Sequence, residues 1–259
     1  MQHLSTFRRL MRATTLTGAI LALAAVPAHA DIWTSGHGDF GLGYLPSPDF
    51  EIEPHWHLEG GIVDGVPQDD VEFEADELIV QVPLSTFDYV TTQGGRAVGA
   101  AWDPIGVAAG VSYWFLPQAN SGAGGAAALG SPFVGIGSEE LDPLDWTGNL
   151  TLTLTGMTGP GQFSMWTDGL GPTFYMSTAD GISSADSYSV TPGSHSHVNW
   201  GFTAPGTYEL TFEASGTHNT DGSVSGGPTT FSFNVVPEPG SVALFGLGGL
   251  LLMATQRRR

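Results

Sequence analysis

The chain has 259 residues, 26 acidic and seven basic side chains, a formal net charge of −19 at neutral pH, and no cysteine. Disulfides, thiolate metal sites and cysteine nucleophiles are thereby excluded, and any metal must be held by histidine and carboxylate. All seven basic residues are arginines and six lie near the ends, so residues 31–236 set 25 carboxylates against Arg96 alone, a balance near −24 that disfavours nucleic acid and favours cations.

Residues 1–30 read as a signal peptide. Arg8, Arg9 and Arg12 give a basic start, LTGAILALAAVPA a short apolar run, and AHA before Asp31 a small-residue cleavage pattern at Ala28 and Ala30. The alternative is an N-terminal membrane anchor, for which the run is short. The Arg8-Arg9 pair hints at twin-arginine export, but the rest of that motif is poor, and the general secretory route is the reading taken.

From Asp31 onward helical periodicity is nearly absent and two-residue alternation is common. FEIEPHWHLEG sets Glu51, Glu53, His55, His57 and Glu59 on one face and Ile52, Trp56 and Leu58 on the other, with Pro54 arguing for an edge strand. PQDDVEFEADE reads as a solvated strand edge that limits edge-to-edge pairing. DELIVQVPL reads as a buried strand and AAGVSYWFLPQ as another, ending at Pro117. NSGAGGAAALGS is a low-complexity loop, which makes residues 119–131 a candidate sub-boundary. FVGIG is a short strand, and NLTLTLTGM alternates with Leu150, Leu152 and Leu154 inward. GQFSMWTDG and GPTFYMSTADG follow as strands. HSHVNWGFTAPGTYELTFEASG reads as two strands joined at Pro205-Gly206, and TTFSFNVV closes the domain. Asp-Gly pairs at Asp64, Asp168, Asp180 and Asp221 mark turns. The fold class expected for 31–236 is all-β, an immunoglobulin-like β-sandwich. Tyr208 is either the hydroxyl that ties a strand corner or a plain core tyrosine.

The chain ends in VVPEPGSVALFGLGGLLLMATQRRR: Pro237-Glu238-Pro239, an apolar stretch over 241–254, and arginines at 257–259. The stretch is short for a stable span of about 20 residues, and the arginines would stay cytoplasmic. This order of motif, transmembrane helix and arginine cluster over 237–259 resembles the PEP-CTERM sorting signal of Gram-negative bacteria. The resemblance implies that an exosortase recognises Pro237, Glu238 and Pro239 and processes the tail during export. An ordinary C-terminal membrane anchor is the alternative.

A second resemblance covers most of 31–236. SHSHVNWGFTAPGTYELTFEASGTHNTDG resembles the end of the choice-of-anchor M domain, which is similar to the actinobacterial surface-anchored protein repeat domain. SGHGDFGLGY resembles that family's opening strand and GVSYWFLPQ its aromatic strand; residues 60–100 match loosely. The resemblance implies surface display and no enzymatic activity. The family's actinobacterial relatives often accompany transporters of the metal type, a hint of metal handling by association.

Six histidines follow the leader. Residues two apart on a strand share a face, so His195, His197 and Asn199 are co-facial, opposite Val198, Trp200 and Phe202. His55 and His57 are co-facial in the same way. Two readings stand: a solvated strand face, or a divalent-metal site, zinc in particular, shared among His37, His55, His57, His195 and His197. His218, in a hairpin loop, is a weaker candidate. Calcium at NTDGSVSGG or PQDDVEFEADE competes, though neither has EF-hand spacing. No nucleophile elbow, zinc-protease helix or phosphate loop is present, so an enzyme is not expected.

The sequence therefore points to a secreted, exosortase-sorted protein of the cell surface or extracellular matrix with a structural or binding role. The alternative is an exported divalent-metal-binding protein that uses the paired histidines. The expected partners are an exosortase-type processing enzyme, the secretion machinery, and extracellular polysaccharide or other surface components, with no nucleic acid. The expected location is the cell envelope, cell surface or exterior, after transient anchoring through the C-terminal helix.

Overall fold

A computed structural model describes residues 30–237. The expectations for the signal peptide, for Glu238 and Pro239, and for the apolar tail helix lie outside the described residues. Among those described, no helix is long and apolar enough to cross a membrane.

The strands, in order, are β1 (Asp31–Leu45), β2 (Glu51–Val63), β3 (Val66–Phe73), β4 (Leu78–Val82), β5 (Trp114–Leu116), β6 (Pro132–Gly137), β7 (Leu150–Thr158), β8 (Phe163–Asp168), β9 (Pro172–Ser177), β10 (Ser187–Val190), β11 (His195–His197), β12 (Asn199–Phe202), β13 (Gly206–His218) and β14 (Gly222–Val235). Two α-helices, α1 (Leu84–Thr92) and α2 (Ala126–Leu129), and two short 3-10 helices, Ala100–Ile105 and Pro143–Asp145, interrupt them. The larger sheet runs β10-β7-β13-β14-β2-β1-β6-β11, with β3 paired to β2 and β4 wedged between β1 and β14. The smaller runs β5-β12-β8-β9. Strands on both sides of residues 119–131 share the larger sheet and one core.

The core lies between the sheets and follows from the two-residue period. Leu150, Leu152 and Leu154 of β7, Tyr208, Leu210 and Phe212 of β13, and Phe231 and Phe233 of β14 are fully buried, as expected of alternate positions on one face. Trp200 of β12 meets them from the other sheet, its ring centroid 5.8 Å from Phe233, 6.2 Å from Phe212 and 6.4 Å from Phe40. Burying a side chain of that size stabilises by about 4–6 kcal/mol. Its indole Nε1 has no hydrogen-bond partner, which offsets about 1–3 kcal/mol of that. The Tyr208 hydroxyl donates to the Ala204 carbonyl (3.0 Å) and accepts from the Ala204 amide (3.1 Å), so it ties its corner.

Two local expectations need correction. β2 is an interior strand, not an edge. Pro54 is tolerated because β3 pairs only with Trp56–Val63 and β14 touches β2 only at Glu51, so no donor is missed between them. The stretch read as two strands from His195 is three: it leaves the larger sheet at Val198 and enters the smaller one as β12. LSTFDYVTT, rich in β-branched and aromatic residues and given no element by the sequence reading, is helical (α1) against its propensity. Tertiary packing decides it. Phe87 lies on Trp114 with ring centroids 4.2 Å apart, and the helix ends where Gly94 and Gly95 take φ of 86° and 76°. The layer containing α1 covers the outer face of the smaller sheet through a second cluster of Val90, Ile105, Tyr113, Phe115 and Trp166.

Candidate metal centre

The outer face of the larger sheet carries the histidines. Phe40, Trp56, Leu58, Val134 and Ile136 point into the core, so His37, Asp39 and Gly41 of β1, His55 and His57 of β2, and Gly135 and Gly137 of β6 lie on the opposite side. Register then sets the rows. Asp39 is opposite His57 on one side and Gly135 on the other, and Gly135 is opposite His197 of β11. One row along, Gly41 is opposite His55 and Gly137, and Gly137 is opposite His195.

The glycines clear the space in which the polar side chains lie. A Cβ on Gly135 would overlap Asp39 Oδ1 and come within 3.0 Å of His197 Cε1. One on Gly137 would come within 2.7 Å of Glu139 Oε2, and one on Gly41 within 2.6 Å of His55 Nε2. The requirement is for close approach, not for unusual backbone angles.

His37, Asp39, His195 and His197 form one cluster whose ligand atoms all lie within 4.8 Å of one another. His195 Nδ1 is 2.7 Å from Glu139 Oε1 and 3.1 Å from Asp39 Oδ2. Carboxylate oxygens only accept, so Nδ1 carries the proton, and in the neutral ring Nε2 holds a lone pair. That atom faces His197 Nε2 at 2.7 Å. A ring N–H given to a carboxylate while the other nitrogen points inward is the arrangement that orients metal-binding histidines. His197 stacks on Phe133 with centroids 3.7 Å apart and planes at 8°. Burial, and then the charge of His195, pushes the His197 pKa down to about 4, so its ring is neutral near pH 7. His37 Nε2 is 3.4 Å from Asp39 Oδ1, and its Nδ1 is 3.7 Å from Glu59 Oε2. The neighbouring Asp39 raises the His37 pKa; burial opposes, and Glu59 and Glu139 add to the rise.

Asp39 is 4% exposed, and its Oδ1 has no hydrogen-bond partner. A buried carboxylate oxygen needs a compensating cation, either protonated His37, whose Nε2 is 3.4 Å away, or a metal ion in its place. The only arginine of residues 31–236, Arg96, pairs with Asp103 at 3.1 Å. Between the histidine rows lies a cleft of about 210 Å³ lined by Asp39, Gly41, His57, Glu59, Glu139 and Glu140. It leaves the cluster open on one side.

The five sequence-predicted histidines do not share one centre. His37, His195 and His197 converge. His55 belongs to a neighbouring group with Glu72 and Glu140, and His57 to neither. His57 instead reaches Asp70 through Nε2 at 3.0 Å, with Glu140 3.8 Å from its Nδ1. Burial works against a charged His57, but Asp70, Glu140 and Glu59 outweigh it and raise its pKa. His218 sits in the β13–β14 hairpin, 2.7 Å from Asp221. Asn199, expected beside the histidines, is 2% exposed and bonds to Gln118 and Asp168, because β12 belongs to the smaller sheet whose outer face is covered.

Sequence reasoning missed Asp39, Glu139 and Glu140, and read Glu72 only within the acidic run PQDDVEFEADE as a competing calcium candidate. The His37-x-Asp39 spacing matches the histidine pairs and could have flagged Asp39. Nothing local flags the turn carrying Glu139 and Glu140. It is placed by Ser138, whose Oγ donates to the carbonyls of Thr191 and Ser194.

Compared with known proteins, residues 235–259 match the family model of the PEP-CTERM protein-sorting motif, and Pro237-Glu238-Pro239 falls inside that match. The match supports an exported chain processed by an exosortase. No curated protein and no solved structure matches.

Proposed function

We propose that this is an exosortase-sorted protein of the cell surface or matrix whose β-sandwich binds a divalent transition ion, zinc by its donor set. The ligands are His37, Asp39, His195 and His197. One observation carries the reading: three imidazoles and a buried carboxylate from β1 and β11 each bring a ligand atom within 4.8 Å of the others, and Asp39 Oδ1 has no hydrogen bond. Three nitrogens and one oxygen suit tetrahedral zinc, whereas calcium prefers oxygen throughout. The ion would clamp the three-residue edge strand β11 to β1 across β6, in line with a structural or binding role rather than catalysis.

The two segments that supply the ligands, SGHGDFGLGY and SHSHVNWGF, are among those that resemble the choice-of-anchor M domain. That resemblance supports surface display, and the Tyr208 corner supports the immunoglobulin-like form of the sandwich. Pro237, Glu238 and Pro239 act in sorting. Changing Glu238 to alanine should leave an unprocessed precursor in a host that carries the exosortase, and an unchanged mature mass would refute the sorting role. For the metal, titration of metal-stripped protein with zinc should show tight binding that His195→Ala/His197→Ala removes. Equal binding by the variant would overturn the assignment.

A further inference from the structure

The neighbouring group, His55 with Glu72 and Glu140, has ligand atoms that also lie within 4.8 Å of one another. The His55 side chain is 7% exposed. Its Nδ1 lies 3.1 Å from the Glu53 carbonyl, which can only accept, so Nδ1 carries a proton. In the neutral ring Nε2 is then a lone pair, and it points at Glu140 Oε1, 3.2 Å away. With a neutral ring the two acceptors face each other, and a cation between them removes the repulsion. The backbone carbonyl on the far nitrogen is again the support typical of a metal-binding histidine.

The surroundings favour a cation. A cleft of about 300 Å³ opens beside His55 and is lined by Glu53, Glu72, Phe73, Glu74 and Glu77. Among the described residues these carboxylates have no lysine or arginine partner, since Arg96 is engaged with Asp103. The opposite strand contributes Gly41 and Gly43, where any Cβ would crowd His55 or Glu140. The two clusters are also joined. Glu139 and Glu140 are consecutive, and the first reaches His195 while the second reaches His55. The amide of Ser138, at the base of their turn, donates to the carbonyl of Ser194 at 2.9 Å, next to His195.

We infer that His55, Glu72 and Glu140 hold a second divalent ion, so that the outer face of the larger sheet is a two-ion surface. The inference rests on the reading above for the class of ion, but on different side chains. One nitrogen and two carboxylates make a harder, oxygen-rich site, which binds zinc more weakly than the first and also admits calcium or manganese. The turn that carries both glutamates makes the second ion partly dependent on the first.

The test is a zinc titration of the metal-stripped, processed protein, with stoichiometry checked by elemental analysis. The expected result is two equivalents, one tight and one weaker, with millimolar calcium displacing only the weaker. Glu72→Gln/Glu140→Gln changes exposed residues and should remove the weaker equivalent alone. His55→Ala should do the same, provided circular dichroism shows it folded. His195→Ala/His197→Ala should keep one weak equivalent. One equivalent that survives Glu72→Gln/Glu140→Gln and vanishes in His195→Ala/His197→Ala would overturn the second ion and leave the first. One equivalent with the opposite response would support the His55 site and overturn the function proposed above. No binding by the native protein would overturn both.

Discussion

The two His-x-His pairs have the same spacing and lie on the same face of the same sheet, yet they end differently. His195 and His197 turn toward each other and toward Asp39 and His37. His55 and His57 diverge, one to Glu140 and the other to Asp70. Spacing fixes the face; the neighbouring strand decides the use. Between β1 and β11 the intervening strand offers Gly135 and Gly137, so the side chains meet over a cleared floor. Beside β2 stands β3, whose acidic residues draw His57 away.

The comparison can be broken most sharply at the histidines. His195→Ala/His197→Ala should lower zinc affinity by more than about 100-fold, since even outer-shell changes cost about 10–100-fold. His57→Ala should leave the tight site unchanged. Thermal unfolding reads the same contrast. Zinc at about 100 times its Kd should add about 2.7 kcal/mol, or roughly 5–11 °C for a domain of this size, in native protein and His57→Ala but not in the double variant. An equal loss from both changes would mean that the pairs share one centre.

Asp39→Asn comes next. It keeps the shape and removes the charge that the ion would neutralise. Isothermal titration should show zinc affinity down by about 10–100-fold, with circular dichroism unchanged. Glycine changes sharpen the comparison further. Gly135→Ala should disturb Asp39 and His197, weakening the tight site by about tenfold, while Gly41→Ala should disturb only His55. A Gly135→Ala protein that titrates like the native one would show that the cleared floor is dispensable.

The smallest effect is on pH dependence without metal. The His37 pKa is raised in the fold, so its stabilisation is full below about 6.5 and is lost as pH rises through the folded value. The His197 pKa is depressed to about 4, so its contribution is present above about 6.5 and is lost as pH falls toward 4. Metal-free His197→Gln should therefore lose less stability than native protein between about pH 6.5 and 4, as read from urea midpoints. Parallel curves would contradict the neutral, buried state assigned to His197.

Much of the architecture was legible because the core obeys a two-residue period. Leu150, Leu152, Leu154, Trp200 and Phe202 are all buried as that period requires. It failed at Asn199, where the chain changes sheets at Val198 and the outward face becomes a covered one. It gave no reading of α1, where packing against Trp114 overrides propensity. The site was half legible for the same reason. Period two puts His37, His195 and His197 on a common face, but only the pairing of β1 with β6 and of β6 with β11 brings them together. Glu139 and Glu140 arrive through hydrogen bonds of Ser138 to residues 53 and 56 positions along the chain, which no local pattern encodes.

The most direct test is the position of the ion itself. Crystals of the zinc-loaded protein, measured at the zinc absorption edge, should show an anomalous peak bonded to His37, Asp39, His195 and His197. The zinc–nitrogen distances should be about 2.0–2.1 Å. A zinc-loaded crystal with no peak among those four side chains, or with zinc only on exposed carboxylates, would contradict the account.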